Sequence, residues 1–559
     1  METGYRFALA LSAAFVLLAY KGIAIGPLAP GPVLLGWLLE SALLSSLWAL
    51  ASLAARSGRR PLALLGAVLF YVTLEVLLLT SLSHTIFFES AAERRFSLLE
   101  LDLAMLVFFF KSVLPVRGLL LLGALWLAPH LLALFAKRAL RPVAPRPALL
   151  AIAGAWVVLS VVLWRVPRVP SPLADMASSS WESLTTPELH VDRSKPARFD
   201  PAHLDKSAAR ATAPFAYDKV LVFVMETMTA DTVARERKAL PAHTYVNRLD
   251  AEALRYTRYF ATNQDSRTGM LSMLGSRFIP YESYTEEGRD AYLKLAERSS
   301  LVDLFKQRGY HSAFVVSQQE LELVVADLPW DERVHLEEGD VDVHAGKFLC
   351  FVPYEFEHSC EDRALLPRML DVIDQHERVF VYQEFIWGHA AEYNKASGKT
   401  NTEYYSAYID EVVAHLKRRG VLDRTLIVLT SDHGFRDKGL QSQRDVYQLP
   451  LSFHAPGLAP RRDDGLFSHL DFKDLLLAAL SPSAVAPPAP SPYVMVVGPT
   501  GTGFLAVVTE PGAFLLLKSR EGRHTLVRAD GLPAGERAEA MGADFLRLFD
   551  DYLARFARL

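Results

Sequence analysis

The chain has 559 residues, which is too long for a single small module and leaves room for more than one domain. Its net charge of −4 is small, so charge alone gives no argument for or against a nucleic-acid partner. Hydrophobicity is uneven: residues 1–168 contain long apolar stretches, whereas the remainder has an ordinary globular composition. The sequence therefore predicts an apolar N-terminal domain followed by a globular part.

The apolar stretches of residues 1–168 predict a transmembrane domain. Five of them approach or exceed the roughly 20 apolar residues that a helix needs to cross a bilayer, namely 6–25, 33–54, 61–83, 118–136 and 147–165. Basic loops after the second and fourth stretches predict a cytoplasmic N-terminus, because Lys and Arg are retained inside. Everything after residue 168 would then lie on the periplasmic or extracellular side of the cell (inner) membrane.

The remaining chain is predicted to hold a linker and two folded regions. Residues 169–217 are rich in Pro, Ser and Ala and are interpreted as a linker. Residues 218–480 alternate strand-like and helical patterns, which predicts an α/β domain with helices on both sides of a sheet. The strand-like runs are 219–225, 312–317, 378–385 and 425–431. Residues 481–559 are predicted to form a small C-terminal subdomain of α+β type.

Two of the strand-like runs end in groups that bind metal ions. Glu226 follows the run 219–225, and Asp432 and His433 follow the run 425–431. Because chemistry in open α/β sheets lies beyond the carboxyl ends of the strands, these side chains form a candidate metal site. The alternative is that they only cap a helix or a turn. Oxygen and nitrogen ligands predict one divalent ion, Zn or Mn in preference to Ca or Mg.

A hydroxyl nucleophile is predicted where the polar residues after Asn263 lead into a helical apolar pattern. Thr268 is the preferred nucleophile and Ser266 the second candidate, although either could only cap the helix. A helix N-terminus favours an anion, and coordination to a metal would activate the alcohol. Arg267 could clamp a phosphoryl oxygen, or it could be a surface residue.

The two cysteines, Cys350 and Cys360, both fall in the predicted external domain. A pair ten residues apart in an oxidising compartment predicts a disulfide that closes a loop. Two free thiols are the alternative.

These features together resemble the alkaline phosphatase superfamily, and most of all its membrane-anchored sulfatase-like branch of lipoteichoic acid synthases and phosphoethanolamine transferases. The resemblance rests on residues 224–227 and 430–434 and on the layout of five spans followed by an external α/β domain. It implies a metal-ligand set of Glu226, Thr268, Asp432 and His433. Thr268 would also carry the covalent intermediate.

Weaker matches to the same family concern substrate binding. They suggest a catalytic or substrate-facing role for His389 and substrate contacts for Trp330 and His469, each of which has a structural alternative. One departure is informative. Formylglycine sulfatases carry a C/S-x-P-x-R motif, yet neither cysteine lies near Arg267 and residues 261–270 contain no Pro. Phosphate esters are therefore expected as substrates in preference to sulfate esters.

The resemblance implies a membrane-embedded, metal-dependent phosphotransferase. It would move a phospho-head group, such as glycerophosphate or phosphoethanolamine, from a phospholipid donor to a cell-envelope glycan or lipid through a phospho-threonine. No nucleic-acid partner is expected. A sulfatase-like hydrolase or phosphodiesterase of the same fold is one alternative, and a catalytically inactive envelope receptor or scaffold is another.

Overall fold

The chain forms two compact units, residues 1–186 with 437–439 and residues 187–436 with 440–559. A computed structural model describes residues 6, 8–13, 30–86, 127–134 and 188–556. The last of these ranges has gaps, of which the longest are 281–299 and 435–443.

The first unit contains helices α1 (Pro30–Arg56) and α2 (Arg60–Ile86). Within the described residues, no helix has both the length and the apolar character needed to cross a membrane. The prediction of a five-span membrane domain is therefore wrong, and so is the predicted localisation as a multi-pass membrane protein with an external catalytic domain. A span takes about 20 consecutive apolar residues, and in α1 that run is interrupted by Glu40 and Ser41. The predicted span 147–165, and most of 6–25 and 118–136, lie outside the described residues.

The second unit is built on strands and short helices that alternate along the chain. Its strands are β1 (Lys219–Met225), β2 (Leu254–Phe260), β3 (His311–Val316), β4 (Glu332–Val334), β5 (Cys350–Phe351), β6 (Ser359–Cys360), β7 (Val379–Glu384), β8 (Thr425–Ser431), β9 (Gln448–His454), β10 (Arg461–Ser468), β11 (Tyr493–Val497), β12 (Phe504–Thr509), β13 (Phe514–Arg520) and β14 (Arg523–Asp530).

Helices of the second unit connect these strands. They are α3 (Ala230–Glu236), α4 (Tyr245–Glu252), α5 (Ser266–Gly275), α6 (Leu301–Gln307), α7 (Asp340–His344), α8 (Leu366–Gln375), α9 (Ala391–Ser397), α10 (Asn401–Arg418), α11 (Phe472–Leu480) and α12 (Ala538–Phe556).

Eight strands form the central sheet in the order β10-β2-β9-β8-β1-β7-β3-β4. β1 pairs in parallel with both β7 and β8, whereas β9 is antiparallel to its neighbours β8 and β2. All seven residues of β1 are buried, because its alternate side chains enter two different cores. One core contains Val220, Val222 and Val224, and the other contains Leu221, Phe223 and Met225. Two buried faces are typical of parallel sheets covered on both sides, so the predicted α/β domain is confirmed.

A smaller antiparallel sheet, β11-β12-β13-β14, follows in the chain. Helix α12 shares a hydrophobic core with it, in which Phe545 and Leu548 pack with Val507 and Leu515. The first strand of this sheet also reaches the loop before α5. The Val497 N–H donates to the Thr262 carbonyl at 2.9 Å, and the Gln264 N–H donates to the Val497 carbonyl at 3.1 Å. The C-terminal sheet thus fixes the backbone that leads into α5.

The described residues of the predicted linker between 188 and 207 are packed against the rest of the second unit. The Leu189 N–H donates to the His524 carbonyl in β14. Asp205 forms a salt bridge with Arg277 at 2.9 Å, and Lys206 forms one with the buried Asp471. This segment therefore belongs to the folded unit over its described length.

Candidate active site

The carboxyl ends of β1 and β8 bring the three predicted metal ligands together. Met225 and Ser431 are register partners at the ends of these parallel strands, so Glu226 and Asp432, one residue further on, are neighbours. Potential ligand atoms of Glu226, Asp432 and His433 all lie within 4.8 Å of one another. At most 2% of each residue is exposed. Two carboxylates and an imidazole converge in a region from which water is largely excluded.

Hydrogen bonds hold the carboxylate of Asp432 by one oxygen only. Its Oδ1 accepts from the Thr227 N–H at 3.0 Å and from the His433 N–H at 2.7 Å. Its Oδ2 is buried and has no hydrogen-bond partner. Thr227 makes its contact with a φ of 55°, which is strained for a β-branched residue. The strained turn is thus used to orient Asp432 and leaves Oδ2 facing the cluster.

The ring of His433 is oriented by its own backbone. Its Nδ1 lies 2.7 Å from the Gly434 carbonyl oxygen, and because a carbonyl only accepts, Nδ1 carries the proton. In the neutral ring Nε2 then presents a lone pair to the cluster. Nε2 lies 3.3 Å from Asp432 Oδ2 and 3.5 Å from Glu226 Oε1. Ligands of a tetrahedral zinc ion with bonds of about 2.0–2.1 Å lie roughly 3.4 Å apart, so the arrangement fits a divalent ion.

The charges at the cluster of Glu226, Asp432 and His433 also favour a bound cation. Burial acts to raise the pKa of Asp432, but the positive charge of His433 in its protonated form and the polar neighbours Glu226 and Ser266 outweigh burial and lower it. A metal ion would take the place of the proton on Nε2 of that ring. Asp432 is therefore ionised at neutral pH. The candidate ligand atoms are the unpartnered oxygen of Asp432, an oxygen of Glu226 and Nε2 of His433. This ligand set fits Zn or Mn.

The two candidate hydroxyls differ sharply in position. Ser266 Oγ lies 3.2 Å from Glu226 Oε2 and 3.3 Å from His433 Nε2. Thr268 instead donates its hydroxyl to Asp265 Oδ2, and its N–H donates to Asp265 Oδ1 at 3.0 Å. Thr268 is 0% exposed, whereas Ser266 is 9% exposed. The geometry places the second candidate, Ser266, at the metal cluster, and it gives Thr268 a part in the helix cap.

Helix α5 presents Ser266 because of how the helix begins. Asp265 is the N-cap, so Ser266 is the first helical residue and lies at the positive end of the helix. The first turn approaches β8 closely at Gly269, where a Cβ would come within 2.7 Å of the Asp432 carbonyl oxygen. Glycine at this position therefore lets α5 sit directly against the strand end that carries the metal ligands.

Arg267 and Glu384 are two further ionisable groups beside the cluster. Arg267 is the second residue of α5, and its charge interacts with Glu384 at the end of β7. Burial, and then the negative charge of Asp432, raise the pKa of Glu384 well above its usual value. Glu384 Oε2 is buried without a hydrogen-bond partner. Glu384 is not among the residues predicted from the sequence, although it has the same signal as Glu226: a carboxylate at the carboxyl end of an apolar strand.

His389 lies in a short 3-10 helix, Trp387–His389, that follows β7. Its side chain lies outside the described residues, but its backbone is placed at the site by the preceding glycine. A Cβ on Gly388 would come within 2.2 Å of the Glu226 carbonyl oxygen. Asp362 holds the same turn from behind, because its carboxylate accepts from the Ile386 N–H at 2.9 Å and the Trp387 N–H at 3.3 Å.

Asp362→Asn is expected to flatten the pH dependence of stability. Burial raises the pKa of Asp362 to about 7 from 3.8. The folded chain therefore keeps a proton that the unfolded chain releases, so this contribution to stability is largest below pH 3.8 and is lost as pH rises to about 7. Between pH 5 and 8 the unfolding free energy of the wild type should fall relative to that of the variant, by roughly 1–4 kcal/mol. Urea unfolding of both proteins across this pH range measures the difference. Parallel curves of unfolding free energy against pH would contradict the prediction.

Trp330 and His469 are placed away from any open surface. Trp330 is 7% exposed, donates from Nε1 to the Val325 carbonyl at 2.7 Å and stacks on Phe314. His469 is 0% exposed and lies behind the site loop, 3.5 Å from Thr262 Oγ1 and 3.3 Å from the Ser431 carbonyl oxygen. Burial lowers the pKa of His469 to about 4, so its ring is neutral. Both side chains are thus buried and packed in this structure, and their substrate contacts stay predictions.

Cys350 and Cys360 are joined by a disulfide and are register partners in the short β5–β6 ladder. Asp362, which holds the turn before His389, follows Cys360 by two residues. The disulfide therefore anchors the segment that supports this side of the site.

Residues 218–481 match the Sulfatase family. These residues form a Sulfatase domain. The suspected superfamily is thus confirmed, and the Sulfatase domain spans the central sheet and the cluster at its edge. It is an enzyme that acts on sulfate or phosphate esters, so the alternative of a catalytically inactive scaffold is not supported.

Among solved structures, the chain is similar to a protein of the alkaline phosphatase superfamily from Vibrio parahaemolyticus, with 15% identity, a TM-score of 0.46, and coverage of 65% of this chain and 94% of that one. It is also similar to the lipoteichoic acid synthase LtaP from Listeria monocytogenes, with 14% identity, a TM-score of 0.45, and coverage of 66% and 97%. A third is the phosphonate monoester hydrolase from Silicibacter pomeroyi, with 14% identity, a TM-score of 0.41, and coverage of 61% and 95%. No curated protein matches the chain.

Proposed function

We propose that the Sulfatase domain transfers a phosphoryl-linked head group through a covalent ester on Ser266. The observation that carries this proposal is the position of Ser266 Oγ, 3.2 Å from Glu226 and 3.3 Å from His433, at the first residue of α5. A nucleophilic alcohol needs activation by a base or a metal, and no other described hydroxyl of α5 has both of these neighbours.

The absence of a formylglycine motif favours phosphate over sulfate. Counted from Ser266, the C/S-x-P-x-R motif would require Pro at 268 and Arg at 270, where this chain has Thr268 and Met270. Ser266 then remains an ordinary hydroxyl. Such a hydroxyl, at a helix N-terminus whose N–H groups favour a phosphate, supports phosphoryl transfer.

In the first step, Ser266 Oγ forms a bond to phosphorus as the bond from phosphorus to the leaving alcohol breaks. Ser266 loses its hydroxyl proton and the leaving oxygen gains one, so the protons balance. A divalent ion held by Glu226, Asp432 and His433 would supply positive charge that favours the ionised hydroxyl. Arg267 is a candidate to bind a non-bridging oxygen, and His389 is a candidate to contact the substrate.

In the second step, an acceptor hydroxyl attacks phosphorus, the bond to Ser266 breaks, and Ser266 regains a proton. The donor we propose is a phospholipid, and the acceptor is a hydroxyl of a glycan or lipid. Water as acceptor would make the protein a phosphodiesterase, since the same serine ester serves both reactions.

The test uses the full chain, incubated separately with phosphatidylglycerol and phosphatidylethanolamine and quenched before completion. Intact-mass measurement should find a glycerophosphoryl or a phosphoethanolamine adduct with one donor, located on Ser266 by peptide mapping. Ser266→Ala should show no adduct. Activity should also be higher on bis(p-nitrophenyl) phosphate than on p-nitrophenyl sulfate. A higher kcat/KM on the sulfate ester would show that the domain is a sulfatase instead.

A further inference from the structure

A second group of potential metal ligands lies at the opposite edge of the central sheet. His311 begins β3, Glu332 begins β4, and His376 ends the helix α8. These strand starts are at the amino edge, whereas the site of Glu226 and Asp432 lies beyond the carboxyl edge. Potential ligand atoms of the three residues lie within 4.8 Å of one another. Among the described residues there are two such clusters, this one and the one at the active site.

The sheet and helix positions explain why the three side chains meet. Ala313 is the register partner of Glu332, and paired residues on adjacent strands point to the same face. His311 is two residues before Ala313 and therefore shares that face. Ala313 belongs to the core that also contains Met369 and Ile373 of α8. The C-terminal end of α8 accordingly brings His376 to the same place.

The two imidazoles lie face to face, with centroids 3.6 Å apart and planes at 6°. His311 Nε2 is also 3.2 Å from Glu332 Oε2. The Lys219 ammonium, whose charge acts on His376, donates to the carbonyl oxygens of Ile373 and His376. Two imidazole rings and one carboxylate thus offer nitrogen and oxygen ligand atoms within reach of one divalent cation.

We propose that His311, Glu332 and His376 form a second divalent metal site, separate from the active site, that takes Zn²⁺ or a similar transition ion. Two imidazoles and one carboxylate are a common ligand set for such ions. Ligand atoms on zinc lie roughly 3.4 Å apart, so binding requires the stacked rings to tilt toward each other. The side chains have room to do so, since that of His311 is 23% exposed and that of Glu332 is 41% exposed. The ion would fasten β3, β4 and the α8–β7 turn together.

The test measures zinc stoichiometry on the full chain, using Zn²⁺ alone as the probe. Wild-type protein loaded with Zn²⁺ and desalted should hold two equivalents by elemental mass spectrometry. A His311→Gln, His376→Gln double variant should hold one and keep ester turnover, which also shows that it is folded. In Asp432→Asn, the remaining equivalent should be the one at the new site, and adding the double substitution should remove it.

His415→Gln provides the matched control. His415 is a partly exposed histidine that contacts Asp374 at 3.0 Å on the neighbouring helix, so its removal should leave two equivalents. Two equivalents in the His311→Gln, His376→Gln variant, or a single equivalent in the wild type, would overturn the proposal. Because ester turnover is read separately, neither outcome bears on the assignment of Ser266.

Discussion

Replacing Ser266 by alanine is expected to lower phosphodiester turnover by roughly 10⁴–10⁶-fold, the size of loss that follows removal of a catalytic nucleophile or its base. The Ser266 hydroxyl is the one that contacts Glu226 and His433, and alanine has no atom that can form the covalent ester. The rate of p-nitrophenol release from bis(p-nitrophenyl) phosphate measures the effect. Binding of the metal should persist, because the three ligands are unchanged.

Thr268→Ala is the matched control for this experiment. It removes a hydroxyl of the same helix that donates to Asp265, so it should cost about 1 kcal/mol of stability and leave turnover within about tenfold, or 1.4 kcal/mol in the barrier. The reverse result, an inactive Thr268→Ala and an active Ser266→Ala, would return the nucleophile to Thr268 and show that the helix start is rotated in the working enzyme.

Asp432→Asn is expected to remove one equivalent of bound divalent metal together with the activity. Asp432 Oδ2 is the buried oxygen without a hydrogen-bond partner, and an amide in its place carries no charge to balance a cation. Elemental mass spectrometry of the desalted protein measures the metal. A ligand at 100 times its Kd stabilises a fold by about 2.7 kcal/mol, so a chelator should lower the Tm of the wild type more than that of the variant.

Asp362→Asn serves as the control for metal loss. It also removes a fully buried carboxylate, but Asp362 bonds to the backbone N–H groups of Ile386 and Trp387 and lies outside the metal cluster. This variant should keep the full metal content. A metal content in Asp432→Asn equal to that of the wild type would place the ion elsewhere.

The sequence was most informative where an element is buried on both faces. The runs 219–225 and 425–431 were predicted with the bounds that β1 and β8 have in the structure, because continuous apolar β-branched residues have few alternatives to a central strand. The metal cluster followed from the same pattern, since adjacent parallel strands end side by side. Apolar runs are a weaker guide to structure in residues 1–168, where they predict membrane spans that the described helices do not form.

The choice between two hydroxyls could not be made from the sequence. Ser266 and Thr268 both lie at the start of one helix, but at 3.6 residues per turn they point about 200° apart. Which of them faces the cluster depends on where the N-cap falls, and that position is set by Asp265 and by the packing of Gly269 on β8. The burial of Trp330 and His469 could not be predicted for a related reason, because burial is decided by neighbours far along the chain. Their substrate contacts stay predictions.

The hydrogen bonds between Val497 and the loop at Thr262 and Gln264 bear on how this protein can be divided. The family match ends at residue 481, which makes that position an inviting place to cut or to graft another C-terminal module. A chain ending there would leave the Thr262 carbonyl and the Gln264 N–H without these partners. Both groups lie just before Asp265, the N-cap that positions Ser266. The residues of the metal cluster and the strand that holds the loop before α5 thus lie in different parts of the chain. A chimaera has to include both.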